Sequence, residues 1–347
     1  MLIDSSFFGR EVRMTWKWCV TFAGGGFVCL LISCESPNTV VTEPREGRWE
    51  VVREPDAGLY YHDIMFVNQL EGWIVGDSGT VLHTSNGGTR WERQTTGLVQ
   101  SLSCVYFVDS KAGWAAGKGA TVLRTTDGGQ TWGMQNTGVD SSRTFLSVSF
   151  TDGQTGWISS NYGEIIHTTN AGTTWPAQQS GTSWAVTSIQ FVDQTHGWAV
   201  ATNRIVLTTS DGGTHWNSQE LSFFPAGVFS HVHFVDAQRG WIATISVSST
   251  REERALLLRT NNGGWSWFIE AVVPVSGFWM IDFVDPVAGW AVGWSRDSSG
   301  VFHTKDGGRT WVSQHQVTND FLIALDFSDP SHGWALGFLG TVVRYVR

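Results

Sequence analysis

The pair Gly-Trp recurs at a near-regular interval, at Gly72-Trp73, Gly113-Trp114, Gly156-Trp157, Gly197-Trp198, Gly240-Trp241, Gly289-Trp290 and Gly333-Trp334, with steps of 41, 43, 41, 43, 49 and 44 residues. A period of about 40 to 50 residues is what one four-stranded propeller blade occupies, so the copies count blades of one ring and not separate domains. Six residues before each of those glycines stands a phenylalanine, at Phe66, Phe107, Phe150, Phe191, Phe234, Phe283 and Phe327, and two residues earlier an aliphatic residue, from Ile64 to Leu325. Alternation with period two is strand chemistry. After Gly-Trp come a third run such as Thr121-Val122-Leu123-Arg124-Thr125, a glycine turn, and a tryptophan opening a fourth strand. The expected fold is all-β, a seven-bladed propeller of four-stranded antiparallel blades.

The turn between the third and fourth strands reads Thr84-Ser85-Asn86-Gly87-Gly88-Thr89-Arg90-Trp91 in one copy and Thr125-Thr126-Asp127-Gly128-Gly129-Gln130-Thr131-Trp132 in the next. Asn or Asp can bond backbone amides two residues on, and glycine supplies positive φ, so this box is a self-contained turn and its acids are structural. The last unit reaches Arg347 without a box, while Arg48-Trp49-Glu50-Val51-Val52 copies the segment that starts at Arg90. The N-terminal strand is therefore expected to complete the last blade and leave no open edge. Seven Gly-Trp tryptophans and seven at fourth strands make 14 of the 20, so tryptophan serves mainly to space blades.

Residues 1–33 read as an export signal: Arg10, Arg13 and Lys17 precede an apolar stretch from Trp18 to Ser33, too short to span a bilayer. The end of that stretch, Leu31-Ile32-Ser33-Cys34, looks like a bacterial lipobox, which makes Cys34 the expected lipidation site and places the protein outside the cytoplasm on a membrane surface. Residues 34–46 form a tether rich in Ser, Pro, Thr and Glu, and 47–347 the ring. Only Cys104 would accompany Cys34 in the mature chain, so no internal disulfide is expected. The formal charge is −9, and the signal carries one more basic than acidic side chain, so the remainder is more acidic still. Such a surface repels nucleic acid. No P-loop, zinc-finger spacing, His-Glu-x-x-His or nucleophile elbow occurs, and no cofactor is expected.

The pattern Phe-x-Asp-x-x-x-Gly-Trp followed by Thr-x-Asp-Gly-Gly-x-Thr-Trp resembles the photosystem II stability and assembly factors of cyanobacteria and plastids, over about Trp49 to Arg347. The resemblance implies a non-enzymatic, lipid-anchored scaffold that binds a membrane or exported protein subunit, using an arginine-rich patch, with the ring itself monomeric. The box is also shared with sialidases and xyloglucan-degrading enzymes, which leaves a glycan-binding module or a glycoside hydrolase as the alternative. A sialidase is disfavoured by the lack of Arg-Ile-Pro and by only five tyrosines.

Function should lie where blades differ. One third-strand column runs His83, Arg124, His167, Thr208, Arg259, His303 and Arg344, a candidate basic ring unless each member pairs with an acid such as Asp109 or Asp152 four residues before Gly-Trp. First strands carry Asp63, His231, His233, Asp282 and Asp326, where His231 and His233 are a weak metal candidate against a hydrated polar channel. Tyr162, Trp184, Phe223, Phe224, Trp294 and Phe338 are aromatics the repeat does not require, expected in loops of one face as a partner surface.

Overall fold

The computed structural model describes residues 47–55, 58–222, 224, 227–246, 254–295, 298–314 and 318–346. Cys34, the signal, the tether and Phe223 lie outside them. Among the described residues, twenty-eight strands form seven antiparallel groups of four, arranged as one propeller. The fifth and sixth groups join through a single bridge, Ile245 to Gly277. The ring closes as the repeat demands: Arg48–Arg53 lies antiparallel to Val342–Val346, with Trp49 opposite Tyr345. No edge is left between the first and last blades.

The repeated aromatics explain the packing. Each Gly-Trp indole lies flat on the phenylalanine of the following blade, as Trp73 does on Phe107 at 3.6 Å between centroids and 9° between planes. Trp334 completes the circle on Phe66, at 3.5 Å and 5°. The box tryptophan meets the same phenylalanine edge-on, Trp132 against Phe107 at 89°, and in the last blade Trp49 takes that place against Phe327 at 83°. Such pairs add about 0.5–1.5 kcal/mol each beyond the area they bury. The glycine is needed because a Cβ at Gly113 would run into the Phe107 ring, and each of the other six glycines faces its own phenylalanine in the same way. Indole Nε1 then reaches the box of that same following blade: Trp73 donates to the Gly128 carbonyl at 3.2 Å, and Trp334 to Gly87 at 3.1 Å. Trp290 faces the one blade without a box. Its buried Nε1 has no partner among the described residues.

The box itself differs in one detail from its sequence reading. Asp127 Oδ1 accepts the amide of Thr131, four residues on rather than two, while the Thr125 hydroxyl accepts the amides of Asp127 and Gly129. The Thr131 hydroxyl and amide, with the Thr125 hydroxyl, hold the Asp127 carboxyl down at about 2. Cys104 is buried and unpaired, as its small-residue column requires.

Candidate functional site

Three first-strand and second-strand columns separate one sector from the rest. The position six residues before the repeat phenylalanine holds Tyr60, Ser101, Thr144, Ala185, Val228, Gly277 and Phe321. Opposite it, just beyond the second strand in most blades, stand Asp77, Lys118, Asn161, Thr202, Ile245, Trp294 and Phe338. Between them, where every first strand carries a bulge, the residues are His62, Ser103, Leu146, Thr187, Ser230, Trp279 and Ile323. A bulge leaves its extra residue outside the ladder. Large aromatics fill these columns only in the sixth, seventh and first blades, which are neighbours in the ring.

The result is a continuous aromatic path at the end of the blades opposite the boxes. Trp279 stacks on Trp294 at 4.8 Å and 24°, and Trp294 leans on Phe321 at 5.7 Å. The Phe338 amide donates to the Phe321 carbonyl at 2.8 Å, and the Phe338 ring stacks on Tyr60 at 4.4 Å and 17°. Trp279, Phe321, Phe338 and Tyr60 are 39, 37, 36 and 46% exposed, so the path presents apolar faces to solvent. Beneath it Asp320 accepts the amides of Leu339 and Thr341, at 3.0 and 3.1 Å, which fixes the turn that carries Phe338. His62, bonded to Asp77 at 2.9 Å, borders the path on the first blade.

Of the six aromatics expected on this face, Phe338 belongs to the path. Trp294 does too, but as a strand residue: the sixth blade's hairpin is longer, Gly289–Ser295 pairs with Ser298–Thr304, and the indole lies over Gly277, where a Cβ would collide with it. Phe224 is a correction. It is 3% exposed and packs edge-on against Phe229, because the connection into the fifth blade folds it under the ring surface. Tyr162 and Trp184 are exposed on other blades, with the Arg143 guanidinium 4.3 Å over Tyr162. No ring contact among the described residues joins either to the path. Trp279, Phe321 and Tyr60 were missed because each sits inside or at the start of a strand. Comparison of columns, not the search for loop aromatics, is the signal that finds them.

The basic column is not brought together as a ring. Five members lie on their own blade's Gly-Trp indole: His83 on Trp73 at 4.9 Å, His167 on Trp157 at 4.7 Å, His303 on Trp290 at 4.6 Å, with Arg124 and Arg259 over Trp114 and Trp241 at 5.9 and 5.5 Å. Nor are their partners the acids four residues before Gly-Trp. Those acids cap their own hairpins, as Asp109 does by accepting the amides of Lys111 and Ala112 at 2.7 Å, and those amides, Ala112 first, hold its carboxyl below the usual range. The partners come from elsewhere: Glu71 for His83 at 2.6 Å, Glu270 for Arg259 at 3.3 Å and Glu50 for Arg344 at 2.5 Å.

The inner strands enclose a cavity of about 210 Å³ at the axis, lined by Asp63, Tyr106, His231, His233, Asp282 and Asp326 among others. Its polar groups stitch blade to blade. Asp63 accepts the Val105 amide at 2.9 Å, Asp282 that of Phe327 at 2.8 Å, and Asp326 that of Phe66 at 2.7 Å, while Ser149 and Gln190 do the same for Phe191 and Phe234. Burial lifts the Asp63 carboxyl to about 7. Burial, then the charges of Asp282 and Asp63, raise Asp326 well above the ordinary carboxylate range. His233 bonds the Phe283 carbonyl at 3.0 Å, and burial, then the charge of His233, pushes His231 down to about 3. Among the described residues no three His, Cys, Asp or Glu side chains are grouped to hold a metal ion.

A family model for the photosynthesis system II assembly factor YCF48 matches residues 96–183 and 174–273. The chain belongs to this family. The photosystem II assembly protein Ycf48 of Thermosynechococcus vestitus is 30% identical over 76 residues, a match that spans 22% of this chain and 22% of that protein. A structure of YCF48 bound to a D1 peptide shares the fold with a TM-score of 0.69, at 22% identity, over 86% of this chain and 97% of that one. YCF48 from Cyanidioschyzon merolae gives 0.67, also at 22% identity, over 86 and 98%. The GH74 xyloglucanase from Xanthomonas campestris gives 0.65 at 14% identity, and the match covers 85% of this chain and 53% of the enzyme. The propeller is thus common to assembly factors and to glycan-degrading enzymes, and family membership rests on the sequence match.

Proposed function

We propose that this chain is a non-catalytic, lipid-anchored assembly factor that holds a segment of a membrane or exported protein subunit against its aromatic face. The observation that carries the reading is the path from Trp279 through Trp294, Phe321 and Phe338 to Tyr60, five large rings that ring packing does not require. Aromatic anchors dominate the energy of protein recognition, and an exposed cluster of them is costly to keep in water without a partner. Family membership supports the assembly role, and a related YCF48 has been seen with a D1 peptide. Photosystem II is the subunit's source on this reading.

Two measurements test it. The double variant Tyr60→Ser/Trp279→Ser removes exposed rings, so recovery of the subunit from solubilised native membranes should fall by more than about tenfold while the melting temperature moves little. Equal recovery, or retention on a xyloglucan or sialoglycan matrix instead, would overturn the reading. For the anchor, mass spectrometry of the native protein should find a diacylglyceryl group on Cys34, and Cys34→Ala should release the chain from the membrane fraction. An unmodified amino terminus elsewhere would refute it.

A further inference from the structure

The stitches between inner strands do not need charge. The amide of the repeat phenylalanine is accepted by neutral groups in three places, by Met65 Sδ for Phe107, Ser149 Oγ for Phe191 and Gln190 Oε1 for Phe234, at 3.0, 3.0 and 2.6 Å. Asp282 and Asp326 hold the same amide of Phe327 and Phe66 with a carboxylate. Two residues earlier in the strand, Ser147 and Ser188 accept the amides of Ile189 and Val232, and Asp63 that of Val105. Burying a carboxylate costs more than burying a hydroxyl or a thioether, so packing alone does not select three of them. The three stand on the inner strands of the sixth, seventh and first blades, which are neighbours, and so share one arc of the axial cavity wall.

These acids meet no permanent counter-charge. Among the described residues no Lys or Arg lines the cavity, and His233, 3.7 Å from Asp282, already bonds the Phe283 carbonyl. Asp282 and Asp326 each spend Oδ2 on an amide, and neither Oδ1 carries a hydrogen bond among the described residues. Asp63, both of whose oxygens accept amides, adds its charge. Two further groups of the wall are unpartnered among the described residues, the buried Nδ1 of His231 and the hydroxyl of Tyr106, which feels the charge of Asp326. The side chains of Asp282 and His233 keep 16% exposure, so the cavity is open to solvent. We propose that the axial cavity binds a primary ammonium group, of a free amine or of a lysine side chain inserted along the axis, on the arc of Asp63, Asp282 and Asp326. An ammonium is a compact charge with three rotatable donors, which suits oxygens spread along an arc, whereas a metal ion would need them grouped and a guanidinium would need a planar fork. Its charge takes the place of protons that burial keeps on the carboxyls, on Asp63 up to about 7, so binding should release protons and tighten as pH rises. The arc lies on the inner strands and not on the aromatic path, so either assignment can fail alone.

The test reads the methyl resonances of the full chain labelled with ¹³C-methyl methionine, because Met65 and Met280 line the cavity while Met134, 64% exposed on an outer strand, serves as reference. Titration with n-butylamine and with acetyl-Gly-Lys-Gly-amide should shift Met65 and Met280 saturably and leave Met134 in place. Their uncharged counterparts, n-butanol and the norleucine peptide, should act at least about tenfold more weakly. The amine that binds more tightly identifies the source, free or side chain. Asp282→Asn/Asp326→Asn keeps both amide acceptors, so it should hold or raise the melting temperature and weaken the amine response by at least about tenfold. Should that variant fail to fold, the unaltered chain still decides: the amine affinity should rise by at least about threefold between about pH 6 and 8, with protons released on binding. Equal response to the uncharged counterparts, no response, an affinity independent of pH, or titration undiminished in the folded variant would each overturn the proposal.

Discussion

Removal of residues 48–53 is expected to lower the unfolding free energy by at least about 4 kcal/mol, the scale of losing one large core aromatic together with its strand. Trp49 is buried, packs on Phe327 and Tyr345 at 5.9 and 5.4 Å, and donates to Gln314 at 2.8 Å. Its strand also covers Val342–Val346, whose outer backbone groups would become an open edge. Two point variants separate these contributions. Trp49→Ala should account for about 3–5 kcal/mol, whereas Glu50→Gln, which loses only the half-exposed pair with Arg344, should cost less than about 1 kcal/mol. Urea midpoints of the three variants decide the matter, and a deletion that melts like the full chain would show that the ring closes by other means.

Asp326→Asn is expected to stabilise the protein at pH 8, an unusual outcome for a buried, hydrogen-bonded residue. In the folded ring, burial and neighbouring carboxylates raise Asp326, burial raises Asp282, and burial lifts Asp63 to about 7. The folded state therefore keeps protons that the unfolded chain releases near pH 4. The stability these groups contribute is complete below that pH and is lost as pH rises through their raised folded values, for Asp63 through about 7. Asparagine keeps an oxygen for the Phe66 amide and removes one of the like charges, so the gain at pH 8 should be about 1–3 kcal/mol, with a shallower decline between pH 5 and 8. The box acids act in the opposite sense, since Asp127 sits near 2 and loses its contribution only in stronger acid, outside that window. An Asn variant that is equally destabilised at pH 5 and pH 8 would mean the channel carboxyls are not mutually strained.

The ring, its blade count and its closure were legible because each is a periodic property: Gly-Trp, the phenylalanine and the displaced copy at Trp49 recur at fixed offsets. Partnership was harder to read. The column that runs from His83 to Arg344 was visible, and the indole it faces stands ten residues earlier in five of the seven blades, but the glutamates that pair with it, Glu71, Glu270 and Glu50, recur at no fixed sequence distance. Asp109 and its counterparts stood close in sequence to that column and turned out to serve their own hairpins. Phe224 and Trp294 were both sorted as loop aromatics; one is tucked into the core by its connection and the other belongs to a lengthened hairpin. The aromatic path needed three blades side by side, two of which, the first and the seventh, meet only when the chain closes on itself.

That closure also sets a timetable. The Gly47 amide meets the Tyr345 hydroxyl across 298 positions of chain, so Arg48–Arg53 is made first and finds its partner last. At about 5–20 residues per second, some 15–60 s of synthesis separate the two. Throughout that interval the earliest strand waits without a mate, and the finished last blade of another molecule would suit it as well as its own. Crowded synthesis should therefore favour exchanged pairs of rings, each lending the other its first strand.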